Sequence, residues 1–285
     1  MYEGIADYLD IMRLAGVSEL RRACVKPGNE NFPIRSVAPS AALPSVALPP
    51  GNDVETGRQT PQTVASKPSA TATPTSISRA VAPPPTANVP LPPPGKHRDL
   101  YHIAEEVAMC TLCKDIAASR TQTVFGSGNP DSSLVFIGEA PGMEEDKQGQ
   151  PFVGRAGQLL TDIIEKGMLM RREDVYICNI LRCRPPGNRN PMPDESAHCR
   201  PFLDRTLAII RPKFICCLGA IAAKSLLSSD KPIGALRGQV WNYPAEWDSD
   251  GIKVVCTYHP AYLLRNPAAK KDTWIDIQML LREME

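Results

Sequence analysis

Residues 27 to 96 hold sixteen of the chain's 29 prolines, together with abundant Ala, Ser, Thr and Val and almost no aromatics. A stretch of that composition cannot bury enough apolar surface to offset the entropy of ordering it. Residues 25–96 therefore read as a disordered, partly extended linker. Any packed core is confined to residues 97–285. Ahead of the linker, residues 1–24 read as a short amphipathic helix. Ile5, Leu9, Met12 and Leu20 lie near helical spacing there, with Arg13, Arg21 and Arg22 on other faces. Packing back on the domain, docking a partner and staying unstructured are all open to it.

From residue 97 the pattern changes. A helix carries YHIAEEVAMC, and apolar runs then alternate with helical periodicity. Strands are expected at 134–137, 175–181, 214–218 and 254–258. Helices are expected at 157–168, 194–210 (with a break at Pro201), 220–227 and 271–284. Strands alternating with helices make βαβ units. The expected fold is a three-layer α/β/α sandwich around a mainly parallel four-stranded sheet, covered on both faces. Ligands in such sheets bind beyond the C-terminal strand ends. The segment GEAPG (138–142), Asn179 and His259 each fall at such an end, so three distant regions converge on one edge.

The formal net charge of +1 gives no global basic field, and any polyanion would have to be held by a local patch. No apolar run approaches the ~18 residues of a membrane span. The opening MYEGIADYLD has no apolar export region. Nine cysteines in such a chain indicate reduced thiols or metal ligation rather than a disulfide scaffold. Cys110 and Cys113 form a C-x2-C pair. Cys183 and Cys199 lie sixteen positions apart across a proline-rich loop. Four thiolates suit zinc or an iron–sulfur cluster, and the chemistry alone does not separate the two. Cys178, Cys216, Cys217 and Cys256 lie in apolar strands and read as small core residues, and Cys24 as incidental.

The segment GEAPGMEEDKQGQPFVGRAGQLL, followed by NILRCRPPGNRNP and HPAYLLR, resembles the family 4 uracil-DNA glycosylases, the iron–sulfur branch of the uracil-DNA glycosylase superfamily. The resemblance covers roughly residues 100 to 285. It implies a [4Fe-4S] cluster on Cys110, Cys113, Cys183 and Cys199, with zinc as the other candidate. It also implies hydrolysis of the N-glycosidic bond of uracil in DNA, leaving an abasic site. The target nucleotide is flipped out or presented single-stranded. In that reading Phe152 stacks on the base, against the alternative of core packing, and the Asn179 amide reads its N3–H and O4, against the alternative of a strand-end turn amide. The resemblance places Glu145 against the 5-methyl of thymine and puts Ala140 and Gly142 in the base-binding loop. His259 donates to uracil O2 as charge builds there. Where the best-known branch of the superfamily carries a water-activating Asp, this chain has Ala140. Glu139 is the nearest carboxylate, suited to positioning water or to holding the loop.

Arg182, Arg184, Arg189 and Arg265 are candidates for phosphate contacts, against the alternative of a solvated charged face. Leu263 or Leu264 is a candidate wedge for the space left by the base, or else the start of the next helix's core. Two other readings stand beside excision. One is covalent capture of uracil-DNA, which in a related subgroup uses a histidine in the loop after the third cysteine. Here RPPGNRNPMPDE contains none, and His198 comes only later, beside Cys199. The other is a non-catalytic metal-bound module. The expected partner is uracil-containing DNA, single- or double-stranded, with a replication or repair protein open to the N-terminal helix. A monomer without membrane attachment, cytoplasmic and nucleoid-associated, completes the expectation.

Overall fold

The computed structural model describes residues 94–285. The expected helix at 1–24, Cys24 and nearly all of the expected linker lie outside the described residues.

The described region runs through α1 (Lys96–Met109), α2 (Lys114–Ser119), β1 (Ser127–Gly128), β2 (Leu134–Gly138), α3 (Met143–Gln148), α4 (Arg155–Asp162), a π-helical turn (Ile163–Gly167) and β3 (Tyr176–Asn179). It continues through α5 (Pro193–Ile210), β4 (Phe214–Leu218), α6 (Ala220–Leu227), α7 (Ile233–Leu236), β5 (Val240–Ala245), β6 (Asp248–Thr257), α8 (Pro260–Arg265) and α9 (Lys270–Met284). The sheet order is β1-β3-β2-β4-β6-β5. The inner four strands are parallel, with Ile137 opposite both Cys178 and Cys217, and Cys217 opposite Cys256.

Strand side chains alternate between two cores, as the period of two requires. Val135, Ile137, Cys178, Ile215, Cys217, Val254 and Cys256 pack with Leu203 and Leu207 of α5 and with Ala222 and Leu226 of α6. On the opposite face, Leu134, Phe136, Ile177, Cys216 and Val255 pack with Leu160, Ile164, Ile277 and Leu280. The four strand cysteines are thus core residues, and the layers are those expected.

The strand count is a correction: six strands rather than four. The two additional strands are antiparallel edges, β1 beside β3 and β5 beside β6. Edge strands lack the continuous apolar run of a strand buried on both faces. β1 is only two residues long, and β5 alternates exposed and half-buried positions and contains Pro244, which an edge tolerates because one side makes no ladder bonds. Two helices also differ. The helix expected at 157–168 starts at Arg155 and ends in the π turn. α5 passes through Pro201 without a break. Its buried face of Leu203, Leu207 and Ile210 compensates for the hydrogen bond that a proline removes.

Candidate active site

The parallel order of β3, β2 and β6 brings their C-terminal ends to one edge. Gly138 ends β2, Asn179 ends β3, and His259 lies two residues beyond β6. Gly138 O accepts from Ile180 N–H (2.9 Å) and Glu139 O from Leu181 N–H (3.0 Å). These bonds continue the β2–β3 pairing into the GEAPG loop. A side chain at Gly138 would collide with Asn179 Oδ1 and the Phe152 ring. Glycine is required there because those two groups close over the strand end.

Phe152 is 6% exposed and has φ 54°, a left-handed conformation that costs a bulky residue on the order of 1–3 kcal/mol. It is gripped from both sides. Arg172 Nη2 donates to Pro151 O (2.9 Å) and Phe152 O (3.1 Å). Glu145 Oε1 accepts from Val153 N–H and Gly154 N–H, both at 3.0 Å. Gly157 permits the turn, since a Cβ there would strike the Phe152 carbonyl. So held, the Phe152 ring stacks against His259 with centroids 5.6 Å apart and 30° between planes.

His259 caps α8, its Nδ1 accepting from Ala261 N–H at 3.1 Å. With Nδ1 as acceptor, the neutral ring carries its proton on Nε2, which is then the donor. Burial, aided by the Arg265 charge and opposed by Glu145, lowers its pKa to about 4. Asn179 is buried, and its Oδ1 has no hydrogen-bond partner among the described residues. An unpaired buried acceptor costs about 1–3 kcal/mol and calls for a donor from outside the protein. Burial raises the Glu139 pKa, and its carboxylate makes no hydrogen bond among the described residues.

Other loop residues have structural partners. Glu145 Oε2 accepts from Gly142 N–H (3.2 Å), so this carboxylate meets three backbone donors and ties α3 to the Phe152 turn. Ala140 packs on the cluster of Ile116, Leu181 and Cys199.

Cys110, Cys113, Cys183 and Cys199 line one small cavity, with Ile116, Leu181, Arg120 and His198. The four were expected to meet, and they do. Arg120 Nη1 donates to Cys183 Sγ (3.0 Å), and its Nη2 donates to Cys110 O (2.9 Å) and Ala108 O (3.2 Å), clipping the two cysteine loops together. Burial and the neighbouring thiols push Cys113 up to about 11; burial does the same to Cys183 against the Arg120 charge. Among the described residues no three ligating side chains converge on a single ion. The four thiols line that cavity together, a donor set that suits zinc or an iron–sulfur cluster. His198 Nδ1 lies 3.6 Å from Cys113 Sγ and so faces this cavity.

Three residues expected at the DNA have other surroundings in the fold. Leu263 is 1% exposed and packs in the core, whereas Leu264 is 42% exposed. Arg189 forms a two-pronged pair with the buried Glu195 (2.6 and 2.8 Å), which neutralises its charge at the start of α5. Arg182 is fully buried, donating to Phe125 O and Thr206 Oγ1. Arg184 donates through Nε to Asn188 Oδ1 (2.6 Å), leaving its other nitrogens available. Arg265 is exposed and makes no ion pair among the described residues. The sequence reading passed over two residues. Arg172 holds Phe152, and no local pattern marks that role. Arg155 is exposed at the start of α4 and makes no ion pair among the described residues; α4 packs against α8, and the place of Arg155 directly after PFVG was the available signal.

The model of the uracil DNA glycosylase superfamily matches residues 125–278. The chain is 48% identical over 165 residues to a type-4 uracil-DNA glycosylase of Thermotoga maritima, covering 58% of this chain and 82% of that protein. Identity to the type-4 enzyme of Archaeoglobus fulgidus is 41% over 185 residues, covering 64% and 91%. A type-5 enzyme of Pyrobaculum aerophilum is 27% identical over 150 residues, covering 48% and 64%. The matched span takes in the GEAPG loop, Phe152, Asn179, Cys183, Cys199 and His259 alike, and the chain belongs to the uracil DNA glycosylase superfamily.

Proposed function

We propose that the chain excises uracil from DNA by hydrolysing the N-glycosidic bond, leaving an abasic site. The observation that carries this is the convergence of a buried acceptor without a partner (Asn179 Oδ1), a gripped aromatic ring (Phe152) and a neutral imidazole with its proton on Nε2 (His259) at one sheet edge. The extruded base stacks on Phe152. Uracil N3–H fills the vacancy at Asn179 Oδ1, while the side-chain amide donates to O4. Cytosine presents a bare N3 and an amino group to the same amide, acceptor against acceptor and donor against donor, and is rejected. Glu145, fixed by three backbone N–H groups, blocks the 5-methyl of thymine in this reading.

As the C1′–N1 bond breaks, its electron pair moves into the base and charge gathers on O2. His259 Nε2–H donates to that oxygen. A neutral donor in a dry site is worth more in the transition state than in the ground state. Water adds at C1′, and the Glu139 carboxylate, unpaired and raised in pKa, orients it and takes its proton. Cys110, Cys113, Cys183 and Cys199 would hold a [4Fe-4S] cluster. When bound it would supply a cross-link: Cys110 and Cys113 at the α1–α2 turn, Cys183 after β3 and Cys199 of α5 would be joined beside the apolar cluster on which Ala140 rests. Arg155, Arg184 and Arg265 supply the phosphate contacts.

Residues 97–285 form the catalytic domain in this reading, with 1–24 a partner-docking helix on the 25–96 linker. A cytoplasmic, nucleoid-associated monomer suits the substrate. Among the described residues no helix is long and apolar enough to cross a membrane. Covalent capture is disfavoured because His198 faces the cysteine cavity rather than the base site. The test is uracil release from single- and double-stranded oligonucleotides. Many turnovers per chain are expected. A stable stoichiometric adduct supports capture instead, and neither product leaves only a binding module.

A further inference from the structure

We infer that Tyr262, backed by Tyr258, is a stacking platform for the nucleobase next to the extracted uracil on the same DNA strand; the inference rests on the excision reading above. The Tyr258 and Tyr262 rings are stacked, with centroids 5.0 Å apart and 29° between planes. The Arg237 guanidinium lies 5.3 Å from the Tyr258 ring centroid. Arg237 is fixed in turn, its Nε donating to Asp276 Oδ2 (2.9 Å) and its Nη2 to Asp272 O (2.5 Å). Asp276, fully buried, also accepts from Thr257 Oγ1 (2.7 Å) and Gly238 N–H (3.2 Å). Guanidinium, Tyr258 and Tyr262 thus form a column rooted in α9 and the end of β6. Its outermost ring is 38% exposed. A ring already held at an angle and backed by another ring loses little freedom on meeting a third flat group.

The column's position identifies the occupant. Tyr258 directly precedes His259, and Tyr262 N–H donates to His259 O (2.8 Å). Platform and base pocket therefore share one helical turn. With Leu263 turned into the core, helical spacing puts Tyr262 and Leu264 on opposite flanks of α8 and Arg265 between them, outward. α8 contains no acidic residue. A strand that delivers its uracil to His259 must cross this surface. Arg265 then meets a phosphate, Leu264 the vacated space, and Tyr262 the adjoining base. Stacking on a π-face tolerates any base, as an enzyme that meets uracil in every sequence context requires.

The experiment uses the full chain and uracil-containing oligonucleotides with 2-aminopurine one nucleotide to the 5′ or the 3′ side of the uracil. Binding to the wild type is expected to quench the probe on one of the two sides. Tyr262→Ala is expected to abolish that quench and to weaken binding roughly tenfold, about the contribution of one base–aromatic stack. Tyr262→Phe is expected to restore both. Tyr262→Leu, which keeps bulk without the π-face, is expected to behave as the alanine variant and guards against a folding artefact. Wild-type binding and quenching by the alanine and leucine variants, or no quench on either side with the wild type, overturns the platform. Uracil release is followed in parallel. A wild type that releases uracil while the platform fails leaves the excision reading standing, and a wild type that releases none defeats that reading.

Discussion

The Phe152 carbonyl accepts a hydrogen bond from Arg172 Nη2 at 3.1 Å, twenty residues away across α4. That bond and the Glu145 contacts to Val153 N–H and Gly154 N–H hold Phe152 in its left-handed conformation, with its ring against His259. The strain at Phe152 is thereby offset by the hydrogen bonds of Arg172 and Glu145 to its turn.

Removing the clamp tests this directly. Arg172→Ala is expected to lower kcat/KM about tenfold or more, because small misplacements of a positioned group are costly. KM is expected to rise as the stacking ring moves. Arg172→Lys, which returns one donor, is expected to recover part of the loss. Unchanged steady-state kinetics in the alanine variant would show that the Phe152 turn holds itself.

Asn179→Ala and His259→Ala test the proposed base-reading amide and the proposed O2 donor. Each is expected to reduce single-turnover uracil release about 10²–10³-fold, the range for losing one transition-state hydrogen bond. Asn179→Asp is expected to shift preference toward cytosine, because a protonated carboxyl can donate to its N3. Wild-type rates in either alanine variant remove that residue from the site.

The pH dependence separates His259 from Glu139. His259 is held down to about 4, so its neutral ring persists well below neutral pH. The acid limb of the rate profile is expected to come from Glu139, raised by burial, and to disappear with the residual activity of Glu139→Gln. The stability effect of His259 has a definite sign. The unfolded chain takes up this proton near pH 6.5, while the folded one resists until about pH 4. Between those values the unfolded state binds more protons, so native stability falls as the pH is lowered through that window. Urea midpoints of wild type and His259→Asn at pH 7 and pH 5 measure the difference; a wild-type midpoint no more sensitive to acid than the variant's contradicts it.

Leu263 and Leu264 are neighbours with opposite environments. Leu263→Ala is expected to cost about 2–5 kcal/mol of stability, as for other buried leucines. Leu264→Ala is expected to leave the melting temperature in place and to slow release from duplex more than from single strands, where no stack must be held open. Melting curves and paired substrate assays distinguish them, and the reverse pattern refutes the assignment.

The cysteine cavity predicts a brown protein with broad absorbance near roughly 400 nm and about four irons per chain. Cys183→Ser is expected to lose the colour and to lower the melting temperature, since Cys183 and the Arg120 clip join two loops. Colourless protein carrying one zinc would replace the cluster by a mononuclear site.

Periodicity was enough to locate the inner strands and the two-sided burial. Residues such as Val135 and Phe136 declare their faces by alternation, and a strand buried on both sides has no other apolar pattern available. The ends of those strands, and so the meeting of Gly138, Asn179 and His259, follow from parallel order alone. The edges β1 and β5 were not legible, because a half-exposed strand with Pro244 carries the same local signal as a loop. Nor was the choice between Leu263 and Leu264, since which of two adjacent leucines faces the core depends on where α8 starts. The pairing of Arg189 with Glu195 and the grip of Arg172 on Phe152 join positions through space. Many carboxylates and carbonyls are chemically eligible partners for an arginine, and only packing in three dimensions selects among them.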